Sequence, residues 1–399
     1  MPSPLPEIVT LGCRLNLAES EAIRAMLSAG PDGRAIVVVN SCAVTGEAVR
    51  QTRVAIRRAR ARWPGAELAV TGCAATIDRS AFAAMPEIDS IVPNAAKLLP
   101  GSWGTDRART PTFRGHARAF VGVQNGCDHG CTFCIIPQGR GAARSVPIDE
   151  AVARVAAVVA AGHREVVLTG VDLTSYGPDL SGTPTLGALC ERLLRDVPAL
   201  ARLRLSSVDG HEIDPALFEL LASEPRMMPH LHLSLQAGND LVLKRMKRRH
   251  LRAEAVALVS RLKARRDVAI GADLIAGFPT ETETMFADSA ALLDDCDIVH
   301  AHIFPFSPRD GTPAARMPQV APEVRRARAA RLREAAAVRK AAWLRTLVGT
   351  TQPIVIEKPG DRGHTPGFAE LRVPPSQPGS IVDARVIAAT DTHLIGAAA

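Results

Sequence analysis

The chain has 399 residues, enough for two or three domains, and 47% of them are hydrophobic, which excludes a disordered protein. Its longest apolar runs are too short to span a membrane, and residues 1–6 do not begin a signal peptide, so we expect a cytoplasmic protein. The net charge of +7 favours an anionic partner such as nucleic acid, although a genome that prefers arginine would give the same charge.

Three apolar runs in the first hundred residues are each followed by a cysteine. Residues 7–11, 35–39 and 68–71 are predicted strands, and they lead to Cys13, Cys42 and Cys73. Helical patterns over residues 17–28 and 46–62 separate the strands, which predicts a parallel α/β sheet with three thiols at its carboxyl edge. Eight cysteines in a reducing compartment do not indicate disulfides, so we expect metal ligands, with buried structural thiols as the alternative.

The alternation of strands and helices resumes after a break rich in proline and glycine. We place an N-terminal domain at residues 1–100, a linker at 101–116, a second domain at 117–346 and a small third domain at 347–399. The second domain has six predicted strands, at residues 119–123, 165–168, 202–205, 230–235, 268–274 and 299–304. Its predicted helices cover residues 149–161 with Asp149 as N-cap, 186–196, 252–264, 281–294 and 322–347.

These elements predict the fold of the second and third domains. Six parallel βα units indicate an incomplete barrel, a partial (βα)6 form of the eight-stranded TIM barrel. Short β-like runs at residues 353–356, 369–373 and 380–387 alternate with proline and glycine, which is typical of a small antiparallel β-barrel.

The segment from Asn125 to Cys134 carries the strongest chemical signal. Cys127, Cys131 and Cys134 have the spacing C-x3-C-x2-C on a loop after a predicted strand. Three thiolates can bind three irons of a [4Fe–4S] cluster and leave the fourth iron open to a small molecule. A structural zinc site is the alternative, but zinc prefers four ligands, and His129 between two cysteines is poorly placed to be the fourth.

This cysteine loop after the first strand of a βα barrel resembles the radical S-adenosylmethionine (SAM) superfamily. With the N-terminal cysteines, the resemblance narrows to the methylthiotransferases and covers nearly the whole chain. Three strings resemble motifs of that family: Leu11-Gly12-Cys13-Arg14-Leu15-Asn16, Asn40-Ser41-Cys42-Ala43-Val44-Thr45 and Thr71-Gly72-Cys73-Ala74.

The resemblance implies two [4Fe–4S] clusters and SAM as cofactors. An auxiliary cluster would be bound by Cys13, Cys42 and Cys73, and the catalytic one by Cys127, Cys131 and Cys134. One SAM would methylate a sulfur at the auxiliary cluster, and another would be cleaved to a 5′-deoxyadenosyl radical that activates C2 of an adenine. The third domain would be an RNA-binding barrel of the TRAM type.

The resemblance also implies SAM contacts near the ends of the barrel strands, at Phe133, Gly170, Asp172, Ser207, Gln236, Gly277 and Arg309. Gly277 would allow the adenine ring to approach the backbone, and Arg309 would face the SAM carboxylate. An ordinary tight turn would also explain Gly170, and loop capping would explain Ser207 and Gln236. His232 is expected inside the barrel rather than as a ligand, and Cys190 and Cys296 as inert buried thiols.

Three basic clusters can follow an RNA backbone, or they can be solvated helix faces. They are Arg53, Arg57, Arg58, Arg60 and Arg62; Lys244, Arg245, Lys247, Arg248 and Arg249; and Arg325, Arg326, Arg328, Arg331 and Arg333. From Gly349 onward the chain has four Lys or Arg and five Asp or Glu, so the third domain is not basic.

The first motif resembles the threonylcarbamoyladenosine branch of the family, whereas the isopentenyladenosine branch usually has Tyr-Gly-Cys-Gln-Met-Asn there. We therefore predict methylthiolation of N6-threonylcarbamoyladenosine-37 in the anticodon stem–loop of tRNA, by a monomer that needs an electron donor and no membrane. The alternatives are an isopentenyladenosine substrate, an aspartate of a ribosomal protein, a non-catalytic iron–sulfur or zinc protein that binds RNA, and a radical SAM enzyme whose auxiliary cluster only transfers electrons.

Overall fold

The computed structural model describes residues 6–28, 35–106, 111–113 and 115–398. The first domain is a parallel sheet of four strands in the order β1 (Glu7–Thr10), β2 (Ile36–Ser41), β3 (Glu67–Gly72) and β4 (Ser90–Ile91). Its helices are α1 (Arg14–Leu27), α2 (Gly46–Arg62), α3 (Cys73–Ile77) and α4 (Arg79–Ala83). Every residue of β2 is buried, as expected for a sheet covered on both faces. The predicted parallel α/β domain is confirmed, while β4 and the two short helices were not predicted.

The second domain is the predicted incomplete barrel. Its strands are β5 (Arg118–Gly122), β6 (Gln124–Asn125), β7 (Arg144–Ser145), β8 (Glu165–Thr169), β9 (Arg202–Leu205), β10 (His230–Gln236), β11 (Ala269–Ala276) and β12 (Ile298–Pro305). Its helices are α5 (Ile136–Arg140), α6 (Ile148–Ala160), α7 (Leu186–Asp196), α8 (Pro215–Ser223), α9 (Asp240–Met246), α10 (Arg252–Lys263), α11 (Glu283–Asp295) and α12 (Pro322–Thr346). Asp149 lies in the first turn of α6 rather than at its N-cap, which is Pro147.

The six barrel strands form two parallel sheets that meet at one seam. One sheet has the order β5-β8-β9 and the other β10-β11-β12. Two isolated parallel bridges, Leu203 to Met227 and Val208 to Leu233, connect them. β6 and β7 pair as an antiparallel hairpin beside the first sheet, and this hairpin holds the ends of the cysteine loop.

Alternate residues along the barrel strands face different surroundings. Leu168, Leu203, Leu231 and Leu274 belong to one buried apolar cluster that also contains residues of the surrounding helices. The residues between them, such as Arg204, His232 and Asp273, are polar and face the barrel interior. The interior of this barrel is therefore a charged and hydrogen-bonding space.

The third domain is a closed barrel of five strands. They are β13 (Thr351–Glu357), β14 (Arg362–His364), β15 (Glu370–Arg372), β16 (Ile381–Ala389) and β17 (Leu394–Ala398). The predicted small barrel is confirmed, with one unpredicted feature, because β15 and β17 are parallel whereas the other pairs are antiparallel. Leu344 of α12 contributes to its core, which attaches this domain to the second one.

The third domain covers the amino ends of the barrel strands. Phe368 lies 5.0 Å from the His230 ring and 4.9 Å from the Arg204 guanidinium, measured from the Phe368 ring centroid. Beside it, Glu165 accepts from Arg118 at 2.6 Å and from Arg204 at 3.0 Å. Burial opposes the charge of Glu165, but Arg204 and Arg118 hold its pKa at about 2. The opposite, carboxyl ends of the strands carry the cysteine loop.

A buried ionic cluster joins the first two domains. Glu19 of α1 accepts from Lys97 at 2.5 Å and from Arg140 of α5 at 2.8 Å. Arg140 also donates to Asn16 at 2.5 Å. Part of the predicted linker packs here as well, because Trp103 ends a 3-10 helix (Pro100–Trp103) and is buried; residues 107–110 and 114 of the linker lie outside the described residues. This junction fixes the first sheet against the barrel.

Candidate active site

The loop between β6 and α5 carries Cys127, Cys131 and Cys134. The Cys127 N–H donates to the Gly141 carbonyl, and the Cys134 N–H donates to the Cys131 carbonyl, both at 3.1 Å. Gly126 has φ +75°, and a Cβ there would lie 1.8 Å from the Ala142 carbonyl oxygen, so only glycine fits this turn. The three thiols interact electrostatically, which indicates that they converge on one space as predicted.

The surroundings of this triplet fit a thiolate-ligated cluster. Burial raises the pKa of Cys127 to about 12 and that of Cys134 to about 11, so a bound cation is needed to hold them as thiolates. Three sulfur ligands suit an iron–sulfur cluster. The Arg248 guanidinium adds positive charge 3.6 Å from the Cys131 sulfur and is held by Asp209 at 2.7 Å.

His129 lies between the loop cysteines and two carboxylates. Its Nε2 lies 2.5 Å from Asp172 and 3.6 Å from Glu212. These two carboxylates raise the pKa of His129 to about 10, so the imidazole is protonated at neutral pH. The ligand atoms of Cys127, His129 and Asp172 lie within 4.8 Å of one another, so the choice between zinc and an iron–sulfur cluster rests on the three sulfur ligands of the loop.

Gly170 and Asp172 lie directly beyond the end of β8, next to the cysteine loop. The N–H groups of Val171 and Asp172 both donate to Oε1 of Gln124 at 2.9 Å. A Cβ at Gly170 would approach that oxygen to the same distance, so Gln124 both holds the turn and requires glycine in it. Asp172 contacts His129, and this contact places the Asp172 carboxylate beside Cys127.

Ser207, Gln236 and Gly277 lie at the ends of the next three strands. Ser207 is half-buried just beyond β9. Gln236 ends β10 with φ +69°, a conformation that costs energy for a residue with a side chain, next to an irregularity in strand register. Gly277 has φ +73°, and a Cβ there would lie 2.4 Å from Arg325 of α12, so helix packing already requires this glycine. Its contact with adenine stays a prediction.

Phe133 and Arg309 connect the cysteine loop and β12 to their neighbours. Phe133 packs edge-to-face on Phe278 with 6.5 Å between ring centroids, which anchors the loop near the end of β11. Arg309 lies beside Gly46 at the start of α2, and the Gly46 N–H donates to the Ser307 hydroxyl at 3.2 Å. The Arg309 Nε is buried and has no hydrogen-bond partner among the described residues, so it can bind a ligand between the two domains.

Cys13, Cys42 and Cys73 lie directly after β1, β2 and β3, as predicted. Cys13 is exposed and the other two are buried. Cys42 interacts electrostatically with both of the others, and burial raises its pKa. The Asn94 amide lies 3.4 Å from the Cys73 sulfur and 2.7 Å from the Gly139 carbonyl. Three converging sulfur ligands at this sheet edge suit a second iron–sulfur cluster.

The two cysteine triplets lie close to each other. A Cβ at Gly139 of α5 would lie 3.2 Å from the Cys73 Cβ, so the helix that follows the first triplet packs on the second. Cys73 also interacts electrostatically with Cys134. The arrangement can therefore hold two sulfur-ligated groups on either side of one bound substrate.

Several functional contacts were not predicted from the sequence. Arg248 and Asn94 each contact a cysteine sulfur, and Gln124 holds the turn at Gly170. We assigned Arg248 to RNA because it lies in a basic run, but its side chain is paired with Asp209. Arg328 is likewise buried against Glu281, so these two arginines fit neither the RNA prediction nor the alternative of a solvated helix face. His232, Cys190 and Cys296 are buried as predicted, and His232 faces the barrel interior, whereas the inertness of the two thiols stays a prediction.

Two segments of the chain match known families. Residues 121–293 match the Radical SAM superfamily, and residues 6–93 match a group described as Uncharacterized protein family UPF0004. Among solved structures, the radical SAM methyltransferase TsrM from Kitasatospora setae, with tryptophan and a SAM analogue bound, has a TM-score of 0.54 and 15% identity, covering 73% of this chain and 66% of that one. This likeness shows the fold alone.

Two curated relatives cover nearly the whole chain. The threonylcarbamoyladenosine tRNA methylthiotransferase MtaB of Rickettsia prowazekii is 44% identical over 385 residues, which are 92% of this chain and 91% of that protein. The tRNA-2-methylthio-N(6)-dimethylallyladenosine synthase of Maricaulis maris is 31% identical over 98% of this chain and 96% of that protein. No helix in the described part of the chain is long and apolar enough to cross a membrane. The chain therefore belongs to the radical SAM methylthiotransferases, enzymes that use SAM and [4Fe–4S] clusters.

Proposed function

We propose that this enzyme attaches a methylthio group to C2 of N6-threonylcarbamoyladenosine at position 37 of tRNA. The observation that carries the reaction type is the pair of cysteine triplets that lie close to each other, one in each of the first two domains. The choice of substrate rests on sequence similarity. The chain is 44% identical to a relative named for threonylcarbamoyladenosine and 31% identical to one named for dimethylallyladenosine. We also propose that the reaction takes place in the cytoplasm and that the enzyme acts as a monomer.

Each triplet would hold one [4Fe–4S] cluster. The cluster at Cys127, Cys131 and Cys134 would supply the electron for SAM cleavage, and the one at Cys13, Cys42 and Cys73 would carry the sulfur to be transferred. An electron donor outside this chain would be required.

Side chains of this protein order the backbone around the two cysteine triplets and close one end of the barrel. Gln124 fixes the turn after β8 through two hydrogen bonds, so the backbone at Gly170 is ordered before any ligand binds. Asp172 and Glu212 hold His129 as a cation beside Cys127. Phe368 and the Glu165 pairs cover the amino ends of the strands, which keeps water from entering the barrel at that side.

Exposed basic side chains are available for the anticodon stem–loop. The exposed members of the three basic clusters are Arg57, Arg58 and Arg62; Lys244, Lys247 and Arg249; and Arg326, Arg331 and Arg333. Some already have acidic partners, as Arg331 does in Glu283. We expect the others to position the RNA through its phosphates, and this binding should weaken as salt rises.

The test is mass spectrometry of tRNA nucleosides from cells with and without the gene. We expect 2-methylthio-N6-threonylcarbamoyladenosine to disappear without the gene and to return with the wild type but not with Cys131→Ala. Cys190→Ala is the matched control, because that thiol is buried in the core away from both triplets. Loss of the isopentenyl derivative alone would contradict threonylcarbamoyladenosine as the substrate. No change in any tRNA nucleoside would overturn the RNA proposal and favour a ribosomal protein as substrate.

A further inference from the structure

The barrel interior contains a polar cluster that the cofactor sites do not use. His232 of β10 and His302 of β12 both contact Oδ1 of Asp273 on β11, through Nε2 and Nδ1 respectively, at 3.2 Å. The two rings lie 4.6 Å apart between centroids. These residue types also bind divalent cations, but each imidazole already has the carboxylate as hydrogen-bond partner, so the cluster is satisfied without an ion.

The position of this cluster suits a substrate rather than a structural role. The His302 side chain is 58% exposed although it faces the interior, so the barrel is open beside β12. Its ring has a second nitrogen, Nε2, free to meet a ligand because Nδ1 contacts Asp273. Asp273 precedes Gly277 by four residues, which is about 13 Å along a strand. The cluster therefore lies two side-chain layers below the strand ends where the cofactor residues are predicted.

Arg14 brings an unpaired positive charge into the same interior. It follows Cys13 directly, yet its guanidinium lies 5.4 Å from the Phe368 ring centroid and interacts electrostatically with Asp273 and Glu165. The neighbouring Arg118 and Arg204 are both paired with Glu165. The Arg14 guanidinium has no hydrogen bond and no ion pair with any residue in the described part of the chain.

An unpaired guanidinium in a partly buried space favours an anionic ligand. Arginine stays charged at any relevant pH and binds carboxylates through two parallel N–H donors. A neutral, apolar ligand in the same place would leave the guanidinium partly desolvated without a partner, which costs binding energy. The arginine therefore discriminates by charge between ligands of similar size.

We propose that Arg14 pairs with the carboxylate of the threonylcarbamoyl group on the substrate adenosine, and that His302 hydrogen-bonds the hydroxyl or urea of that group. This inference rests on the proposed function and adds the residues that select the substrate. Asp273 and His232 position the His302 ring. Arg14 follows Cys13 of the auxiliary triplet in the chain, but its guanidinium lies in the barrel interior near Phe368, so a carboxylate bound there would draw the threonylcarbamoyl group into the barrel below the cysteine loop.

The test uses the reconstituted holoenzyme and two anticodon stem–loop RNAs. One carries N6-threonylcarbamoyladenosine at position 37, and the other carries its methyl ester, which removes the negative charge and adds one methyl group. Dissociation constants, kcat/KM and 5′-deoxyadenosine formation are measured for the wild type, Arg14→Gln, Arg14→Lys and His302→Leu. Arg24→Gln is the matched control, since Arg24 lies on the same helix but contacts Glu21 and the Pro6 carbonyl.

We expect Arg14→Gln to weaken binding of the carboxylate RNA by about tenfold to a hundredfold, as for loss of a charged hydrogen-bond partner. Binding of the ester RNA should not change. Arg14→Lys should keep most of the preference for the carboxylate. His302→Leu should weaken binding of both RNAs by about fivefold, because it removes a neutral hydrogen bond.

Three results would overturn the inference. Equal weakening of both RNAs by Arg14→Gln would mean that Arg14 does not recognise the carboxylate. Unchanged binding in Arg14→Gln and His302→Leu, with an active wild type, would remove both residues from the site and leave the proposed function standing. A wild type that modifies isopentenyladenosine RNA and not threonylcarbamoyladenosine RNA would overturn the proposed function together with this inference. If Arg14→Gln also lowers the iron content, its binding data no longer isolate the carboxylate contact. The inference is then kept only if His302→Leu weakens RNA binding, and it is rejected if His302→Leu binds RNA as the wild type does.

Discussion

The two cysteine triplets use different routes to the same kind of site. Cys127, Cys131 and Cys134 lie within one loop, so local spacing and the turn at Gly126 bring their sulfurs together. Cys13, Cys42 and Cys73 lie on three different βα units, and only the parallel order of β1, β2 and β3 makes them neighbours. A local site can form whenever its loop is ordered, whereas a distributed site needs the whole sheet. The two triplets should therefore respond differently to substitution.

The largest expected effect comes from removing a ligand of the loop triplet. Cys131→Ser should lower both 5′-deoxyadenosine formation and methylthio transfer by more than about a hundredfold, because even outer contacts of a metal site are worth up to about that factor. Both products are measured by mass spectrometry on the reconstituted enzyme. Cleavage of SAM that survives at the wild-type rate would contradict the assignment of this triplet.

The matched change in the distributed triplet should separate the two activities. Cys42→Ser should lower methylthio transfer by more than about a hundredfold while SAM cleavage to 5′-deoxyadenosine continues. The physical reason is that Cys42 directly follows β2 in the first domain, whereas the triplet assigned to SAM cleavage lies on the barrel loop between β6 and α5. The same assay measures both products. Parallel loss of cleavage and transfer would show that the two triplets are not separate sites.

The ionic junction between the domains should be needed for stability. Glu19→Gln leaves Lys97 and Arg140 buried without a countercharge, which typically costs about 3–5 kcal/mol. We expect the urea unfolding midpoint of the anaerobic protein to fall. Glu47→Gln is the control, because Glu47 pairs with Arg50 on the exposed face of α2 and its loss should leave the midpoint unchanged. An unchanged midpoint in Glu19→Gln would contradict the role of the junction.

The outer contacts of the two triplets should have smaller, matched effects. Asn94→Leu removes the amide beside Cys73, and Arg248→Leu removes the guanidinium beside Cys131. Each should weaken iron retention by about tenfold to a hundredfold during dialysis against a chelator, and only at its own triplet. Electron paramagnetic resonance of the reduced protein follows the two clusters separately. A loss at the opposite triplet would contradict the contacts described above.

The smallest expected effect is the pH dependence of the junction. Burial opposes the charge of Glu19, but Lys97 and Arg140 outweigh it and hold the pKa of Glu19 below its ordinary value. A carboxyl with a lowered pKa in the folded state stabilises the protein above its unfolded pKa of about 4.3, and this contribution is lost as the pH falls. The difference in unfolding midpoint between wild type and Glu19→Gln should therefore be constant near pH 7 and shrink below about pH 4. A difference that grows with acid would contradict this sign.

The contrast between the triplets also explains what the sequence could predict. The loop triplet follows from residue spacing alone, and the distributed triplet from strand periodicity plus the rule that parallel strands end at one edge. Both predictions of convergence agree with the structure. The six barrel strands were predictable from short apolar runs and, in β9 and β10, from the strict alternation of polar and apolar residues.

Contacts that depend on tertiary packing were not predictable. Arg248 lies in a run of basic residues, and nothing in that run shows that its side chain turns inward to Asp209. Gly277 was assigned to the cofactor because of its place after β11, yet the packing of Arg325 already requires a glycine. The interior position of Arg14 depends on how α1 lies against β5, which no local pattern encodes.

The central claim is that each triplet binds its own cluster, and iron analysis tests it directly. Iron per chain is measured in the anaerobically reconstituted wild type and in two triple variants, one with Cys13, Cys42 and Cys73 changed to serine and one with Cys127, Cys131 and Cys134 changed. Two [4Fe–4S] clusters predict about eight irons in the wild type and about four in each variant. A variant that keeps all of the iron, or one that loses all of it while remaining folded, would contradict two independent sites.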